Sequence, residues 1–221
     1  MRNLFSQDSV LVRFFGAITN IMLVNVLWLL CCIPVFTAGA ATTAAYYTFY
    51  QNISGEDDGV IRPFFRAFKD NFKQATLLWL PMMLIGAVLI VDLMYLLGNH
   101  RERFHILWVP FCVTALVYLI PVSHSFAILG RYDAPSKQIL KNSYLIFLMN
   151  FLRSVAVLLL TVTPGIVLVS MPQLVVSTLP FWFILFFGLV LYLNARMFLI
   201  SFDKSAAKTE EEEKEKEYDS V

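Results

Sequence analysis

Charged residues are scarce along most of this sequence. Only 15% of its 221 residues are charged, and 12 of the 33 charged residues lie from Asp203 to the C-terminus, which leaves 21 for the first 202 residues. An ordinary soluble domain has about 25% charged residues. The body of the chain therefore has too little charge to cover a water-soluble globule. The same scarcity argues against a nucleic-acid-binding protein and against an intrinsically disordered chain.

Cysteine is also scarce, and the usual catalytic motifs are missing. Cys31, Cys32 and Cys112 are odd in number and show neither C-x-x-C nor histidine-paired spacing, so they predict no disulfide framework and no metal site. No P-loop, zincin helix, nucleophile elbow or dinucleotide-binding glycine pattern occurs in the sequence. We therefore expect no cofactor and no enzymatic activity.

Long apolar runs are abundant. Apolar residues make up 58% of the chain, and 42, 27 and 42 residues without formal charge follow Arg13, Arg103 and Arg153. Asp92 alone interrupts a further apolar run between Lys73 and Arg101. Because about 20 apolar residues cross the bilayer as a helix, each longer gap can hold a helical hairpin and each other run one span. The sequence predicts an all-α, polytopic transmembrane helical bundle of five to six spans.

The prolines divide these runs. Pro34 interrupts the first long gap, and Pro172 and Pro180 bracket a polar patch in the last one. We predict one transmembrane domain over residues 1–203 and a disordered acidic cytoplasmic tail over 204–221. The predicted spans are 14–34, 37–52, 75–97, 105–129, 152–171 and 180–201.

The second predicted span is short and unusual in composition. Residues 37–52 begin with small residues and end with aromatic ones, and about 15 residues of helix cover only about 23 Å. A full crossing and a re-entrant half-crossing are both compatible with this segment. A cleaved signal peptide ending near Ala40 is a further alternative, although the apolar run before it is long for one.

Lysine and arginine are distributed unequally between the two sides. With six spans, 15 of these residues fall on one side, and only Arg101 and Arg103 fall on the other. The positive-inside rule then predicts a plasma-membrane protein with a cytoplasmic C-terminus. The N-terminus is cytoplasmic if residues 37–52 cross the membrane and extracellular if they do not.

Two basic segments precede predicted spans. In residues 60–73, aromatic and basic side chains recur at helical spacing, which predicts an amphipathic helix in the cytoplasmic interface. Its lipid or partner contacts would be Arg62, Phe65, Arg66, Phe68, Lys69, Phe72 and Lys73. A looser copy at 134–146 presents Lys137 and Lys141. Both segments can either anchor the chain at the membrane surface or dock a cytoplasmic partner.

Three stretches of the sequence resemble one known family. These are Asn25-Val-Leu-Trp28, the stretch from Pro34 to Ala45, and Phe64-Phe-Arg-Ala-Phe-Lys-Asp-Asn-Phe-Lys-Gln-Ala75. They are similar to the YesL family of uncharacterised integral membrane proteins from Gram-positive bacteria. The resemblance implies a role beside carbohydrate uptake, because genes of that family often neighbour sugar-uptake ABC systems. It supplies no catalytic residues.

Polar and ionisable residues within the predicted spans are the candidates for an intramembrane site, since burying them in hydrocarbon is costly. They are Asn20, Asn25, Asp92, His124 and Arg196. Each could instead be structural, through helix–helix hydrogen bonds or contact with interfacial water. Asn20 or Asn25 could also line a polar pocket with Thr42, Thr43 and Asp92.

Two functions remain open at this point. The first is an accessory or interaction protein beside an ABC-type carbohydrate transporter. The second is a small transporter or permease-like subunit for a sugar-derived solute, with Asp92 and Asn25 on its path. The expected partners are membrane lipid together with either ABC transporter subunits or a second copy of the chain, and no nucleic acid.

Overall fold

The computed structural model describes residues 10–56, 59–98 and 107–219, with side chains from Phe14 to Lys204 within those ranges. The described residues form helices and short connections, without a strand. The helices are α1 (Val10–Cys32), α2 (Ala38–Ser54), α3 (Ile61–Gly98), α4 (Trp108–Leu129), α5 (Ser136–Met149), α6 (Phe151–Ser170), α7 (Pro172–Ser177), α8 (Leu179–Phe181) and α9 (Phe187–Asp219). A 3₁₀ turn (Val35–Thr37) precedes α2, and a π-helical turn (Trp182–Phe186) joins α8 to α9.

Five described segments are long and apolar enough to cross a membrane. They are Phe14–Cys32, Ile61–Gly98, Trp108–Leu129, Phe151–Ser170 and Leu179–Lys204. Their outward faces carry large apolar side chains at full exposure, such as Leu152 (84%) and Val169 (78%). Exposed apolar surface of this extent is incompatible with water and suits lipid. The chain is an all-α, polytopic helical bundle, as the sequence predicts.

Helix α2 lies at the centre of the bundle. Ala40, Ala41, Ala44 and Ala45 have no exposed surface. The Thr43 and Thr48 hydroxyls are satisfied by carbonyls one turn back in the same helix. The small side chains allow neighbouring helices to approach closely, as inside other membrane bundles. This helix is therefore shielded from lipid by other helices, which explains why its sequence is less apolar than that of the five long segments.

Pairwise contacts fix the direction of α2 relative to its neighbours. The Trp28 indole donates to Thr42, and residues near Ala17 share a cavity with residues near Asn52, so α1 and α2 are antiparallel. A Cβ on Gly39 would touch Trp79, whereas Tyr47 lies beside Pro63, so α2 and α3 are also antiparallel. Helix α2 thus returns the chain from the end of α1 to the start of α3 through the interior.

Most of the described basic side chains lie at one end of the bundle, which we call the basic end. Arg131, just after α4, contacts Asp203 in α9 at 3.3 Å, and Arg153, near the start of α6, donates to the Ile200 carbonyl. At the same end Gln74 of α3 donates to the Ala134 carbonyl at 2.6 Å. Helix α4 therefore ends, α6 begins and α9 leaves the bundle at this end.

Two sequence predictions differ from the structure. The interfacial helix predicted at 60–73 and the span predicted at 75–97 form one helix, α3, because no glycine or proline separates them. The acidic tail, which we predicted to be disordered, is helical in the structure, since α9 continues to Asp219. That tail is rich in Ala, Glu and Lys, which are strong helix formers, and Glu210–Lys214 and Glu212–Lys216 have the i, i+4 spacing that supports a helix.

Candidate functional site

The five polar residues predicted for an intramembrane site do not come together. Asn25 and His124 are fully buried, in α1 and α4. Asn20 is half-buried beside a cavity between α1, α2 and α9, and Arg196 is exposed on α9. Asp92 is exposed on α3, in a cavity with Tyr95, Phe111 and Thr114 at the opposite end of the bundle from the basic end. The alternative in which Asn20 or Asn25 lines a pocket with Thr42, Thr43 and Asp92 is not found, since Thr42 and Asp92 line different cavities.

Asn25 has a specific structural role at the π-helical turn. Its Nδ2 donates to the Phe183 carbonyl at 2.5 Å, and its Oδ1 accepts from the Gly188 backbone N–H at 2.6 Å. These two backbone groups lie five residues apart, which is the spacing of a π-helical hydrogen bond. The carboxamide therefore bridges the two groups. Both polar ends of a fully buried side chain are satisfied in this way.

His124 lies among aromatic rings near the basic end. Its Nδ1 is 2.8 Å from Ser123 Oγ and 3.1 Å from the Ile120 carbonyl oxygen. The ring packs edge-on against Phe198, with a centroid distance of 5.0 Å. Its Nε2 is buried without a hydrogen-bond partner among the described residues. The hydroxyl of the next residue, Ser125, forms a hydrogen bond of 3.0 Å with the Ser143 hydroxyl of α5. This stretch of α4 therefore contacts α5 directly.

A central cavity of about 230 Å³ is the most promising site in the described structure. Six parts of the chain line it, and it is partly open. Most of its wall is apolar and aromatic, with Trp28, Tyr46, Trp79, Phe126 and Phe187 among the lining residues. None of the described side chains that line it carries a charge. Such a site suits a small uncharged molecule with a largely apolar surface.

Asn194 supplies an unsatisfied acceptor in this wall. The side chain is 1% exposed, and its Nδ2 donates to Thr161 Oγ1 at 3.2 Å. Thr161 uses its own proton on the Val157 carbonyl, so its oxygen accepts and the Asn194 amide nitrogen must face it. The Tyr46 phenol also lies within hydrogen-bonding reach of the Asn194 amide, and Asn194 Oδ1 is buried without a partner among the described residues.

Sequence reasoning missed this cavity. It singled out neither Asn194 nor the tryptophans as residues that line a site. One available signal was position: Trp28 and Trp79 lie inside apolar runs rather than at interfacial ends. A second was the i, i+4 spacing of Thr42 and Tyr46 on a helix of small residues.

The basic segments lie on exposed surfaces at the basic end. In the first half of α3, the buried residues Pro63, Phe64 and Ala67 face the bundle. The predicted contact residues Arg62, Phe65, Arg66, Lys69, Phe72 and Lys73 are exposed, and Phe68 is half-buried. On α5, Ile139 and Ser143 face the bundle, whereas Lys137 and Lys141 are exposed. The aromatic and basic stripe of α3 is therefore available for contact with lipid or a partner.

Comparison with known proteins gives relatives of undefined function. The family described as "Protein of unknown function, DUF624" matches residues 21–93. The "Uncharacterized protein YteU" of Bacillus subtilis (strain 168) is 26% identical over 169 residues, which cover 75% of this chain and 76% of the relative. No solved structure matches. The family match covers α2, about half of α1 and most of α3, and therefore includes Asn25, Trp28 and Trp79.

Proposed function

We propose that this chain is a plasma-membrane protein of the YesL family that acts as an accessory or interaction component of an ABC-type carbohydrate uptake complex. The observation that carries the interaction role is the length of α3. Its 38 residues span about 57 Å, nearly twice the roughly 30 Å hydrocarbon thickness. When the apolar half of α3 lies in the hydrocarbon layer, the other half, which contains Arg62, Phe65, Arg66 and Phe72, therefore extends beyond that layer. The link to carbohydrate uptake rests on the YesL resemblance alone.

The geometry of α3 favours protein docking over attachment to the membrane surface. An interfacial helix lies in the plane of the bilayer, whereas this segment continues a membrane-spanning helix and is braced by α2, with Phe64 fully buried. Phe65 is 48% exposed and Ile61 is 56% exposed. Ile61 lies about 16 Å further along the helix than Phe72. Apolar side chains this far along the helix from its apolar half suit contact with a protein partner better than contact with acyl chains.

The membrane orientation is part of the same proposal. The positive-inside rule assigns the basic end to the cytoplasm. Trp28 near the end of α1 packs on Phe187 at the start of α9, whereas Asn20 shares a cavity with Tyr192 further along α9. The two helices are therefore antiparallel, and α1 begins near the end where α9 leaves the bundle. Both termini would then be cytoplasmic, with α2 completing a sixth crossing inside the protein. Arg101 and Arg103, predicted for the opposite side, lie outside the described residues.

Co-purification tests the interaction role. The tagged full-length chain is extracted from its native host in mild detergent, and ABC transporter subunits are quantified by mass spectrometry. Replacing both Phe65 and Phe72 with Ala should lower recovery of the transporter by about tenfold, as loss of aromatic anchors does at other interfaces. Phe14→Ala with Phe15→Ala is the matched control, because both rings are exposed on α1. A chain that purifies alone, with transporter assembly unchanged in a deletion strain, would overturn the proposal.

A small-solute transporter is the second candidate function, and the central cavity is the observation that favours it. Transport sites of helical membrane proteins lie inside the bundle, where polar groups line a cavity. The sequence-based version of this hypothesis used Asp92, which does not line the central cavity. Uptake of a solute by this chain alone, reconstituted in liposomes and abolished by Asn194→Leu, would favour transport over the accessory role.

A further inference from the structure

We propose that the central cavity is a binding site for a small, uncharged, mostly apolar molecule that carries one hydrogen-bond donor, such as a phenol or a cyclic alcohol, which it presents to Asn194 Oδ1. Binding at this site is independent of whether the chain carries the molecule across the membrane or senses it within a larger complex. The proposal rests on the size of the cavity, on the charge and hydrogen-bonding state of its wall, and on Asn194 Oδ1, which has no partner among the described residues.

The volume of the cavity sets the size of the ligand. The cavity of about 230 Å³ is smaller than the 300–1,000 Å³ typical of sites for drug-sized molecules. It nevertheless corresponds to about eight times the roughly 30 Å³ that a water molecule occupies in the liquid. A single six-membered ring with one or two substituents fits such a space, whereas a disaccharide or a lipid headgroup does not.

The hydrogen-bonding state of the wall sets the polarity of the ligand. Thr42 donates to the Ala38 carbonyl and accepts from Trp28, and Ser123 is bonded to the Leu119 carbonyl and to His124. Thr161 is occupied by the Val157 carbonyl and Asn194. These three hydroxyls are therefore used within the protein, and the fourth hydroxyl of the wall, the Tyr46 phenol, interacts with the Asn194 amide.

A polyhydroxylated ligand would lose its hydrogen bonds to water without gaining replacements here, which is costly. A free monosaccharide is thus a poor occupant. A molecule with a single donor matches the single unsatisfied oxygen, and the surrounding aromatic rings provide flat apolar surfaces for the rest of it. An ion is disfavoured because no charged side chain of the described cavity wall would compensate its desolvation.

The test compares two probes that differ in one group, 4-fluorophenol and 4-fluorotoluene, which have similar shapes. Binding to the full chain in phospholipid nanodiscs is followed by ¹⁹F NMR, and partitioning into protein-free nanodiscs is subtracted. We expect saturable binding of 4-fluorophenol, about fivefold tighter than that of 4-fluorotoluene, because only the phenol donates a hydrogen bond to Asn194. Asn194→Leu should remove this preference while retaining binding of 4-fluorotoluene.

A second pair of variants checks the location. Val190 lines the cavity and Val169 faces outward at 78% exposure. Val190→Phe should abolish binding of both probes, whereas Val169→Phe should leave it unchanged, with circular dichroism confirming that each variant is folded. The proposal is overturned if no binding exceeds that of protein-free nanodiscs, if Asn194→Leu keeps the preference for phenol, or if folded Val190→Phe binds as wild type does.

Discussion

Asn25 and Gly188 are joined across two helices by a hydrogen bond of 2.6 Å from the glycine N–H to the asparagine Oδ1. A Cβ on Gly188 would lie 2.7 Å from the Asn25 Cβ and 2.7 Å from the Ile21 carbonyl oxygen. Only glycine allows α1 and α9 to approach to this distance. The glycine and the asparagine thus form one packing unit, in which the asparagine carboxamide bonds backbone groups on both sides of Phe186, the last residue of the π-helical turn.

The first prediction concerns this unit. Asn25→Leu removes the hydrogen bonds to the Phe183 carbonyl and the Gly188 N–H, and each buried group left unsatisfied costs about 1–3 kcal/mol. We expect a loss of about 3 kcal/mol in the free energy of unfolding, measured by denaturation in nanodiscs. Asn20→Leu is the control, since Asn20 is half-buried beside a cavity, and it should change stability by about 0.5 kcal/mol at most. Equal effects of the two substitutions would contradict this account of Asn25.

The second prediction concerns the contact between α2 and α3. A Cβ on Gly39 would lie 2.7 Å from the Trp79 Cβ and 2.9 Å from the Ala75 carbonyl oxygen, so Gly39→Ala must push the helices apart. Overpacking of this kind costs about 1–3 kcal/mol. At Gly165, in α6, nothing lies within 4 Å of the corresponding position. There the same substitution should stabilise the chain by up to about 1 kcal/mol through helix propensity. Thermal unfolding of the two variants should shift in opposite directions.

The bundle class could be predicted from the sequence because the charge gaps reflect a physical requirement of the bilayer. Those gaps do not reveal where an apolar helix continues into polar sequence, so the junction near Lys73 was predicted as a break although α3 is continuous. Residues 37–52 were hard to interpret for a different reason. The composition of this segment reports burial inside protein rather than contact with lipid, and burial there depends on distant helices.

The candidate site was less predictable than the bundle. Asn25 was selected correctly as a costly buried amide, but its partners Phe183 and Gly188 lie more than 150 residues away. Asp92 was selected as an interruption of an apolar run, and the structure places it on an exposed surface. Side chains that line a central cavity come from six parts of the chain, and their convergence follows from helix packing rather than from any local pattern.

The third prediction tests the proposed orientation. In a chain whose three cysteines are replaced by alanine, single cysteines are introduced at Val35, Glu56 and Asp133, all of which are exposed. Because α2 runs antiparallel to α1, Val35 should react with a membrane-impermeant maleimide on intact cells. The cysteines at positions 56 and 133 should react only after the membrane is opened. Labelling of positions 35 and 56 from the same side would show that α2 does not complete a crossing.

The fourth prediction compares charge with packing at the basic end. Asp203, which pairs with Arg131, has a side chain that is 71% exposed, and exposed ion pairs contribute about 0–1 kcal/mol. Asp203→Asn should therefore change stability little, as should 1 M NaCl. Phe202 is 3% exposed and packs on Phe198 and Tyr132, so Phe202→Ala should cost about 3–5 kcal/mol. Denaturation midpoints of the two variants give the comparison, and a larger loss for Asp203→Asn would contradict it.

The interior position of α2 has a consequence for biogenesis. Two of its aromatic rings, Tyr46 and Phe49, contact Phe198 and Tyr192 of the last helix, which the ribosome produces more than 140 residues later. A weakly apolar segment partitions poorly into lipid from the translocon. Helix α2 is therefore held only by α1 and α3 until the C-terminal helix has been synthesised and packs against it. A nascent chain that stops before Tyr192 lacks this covering helix and presents the small-residue surface of α2 to membrane quality-control proteases.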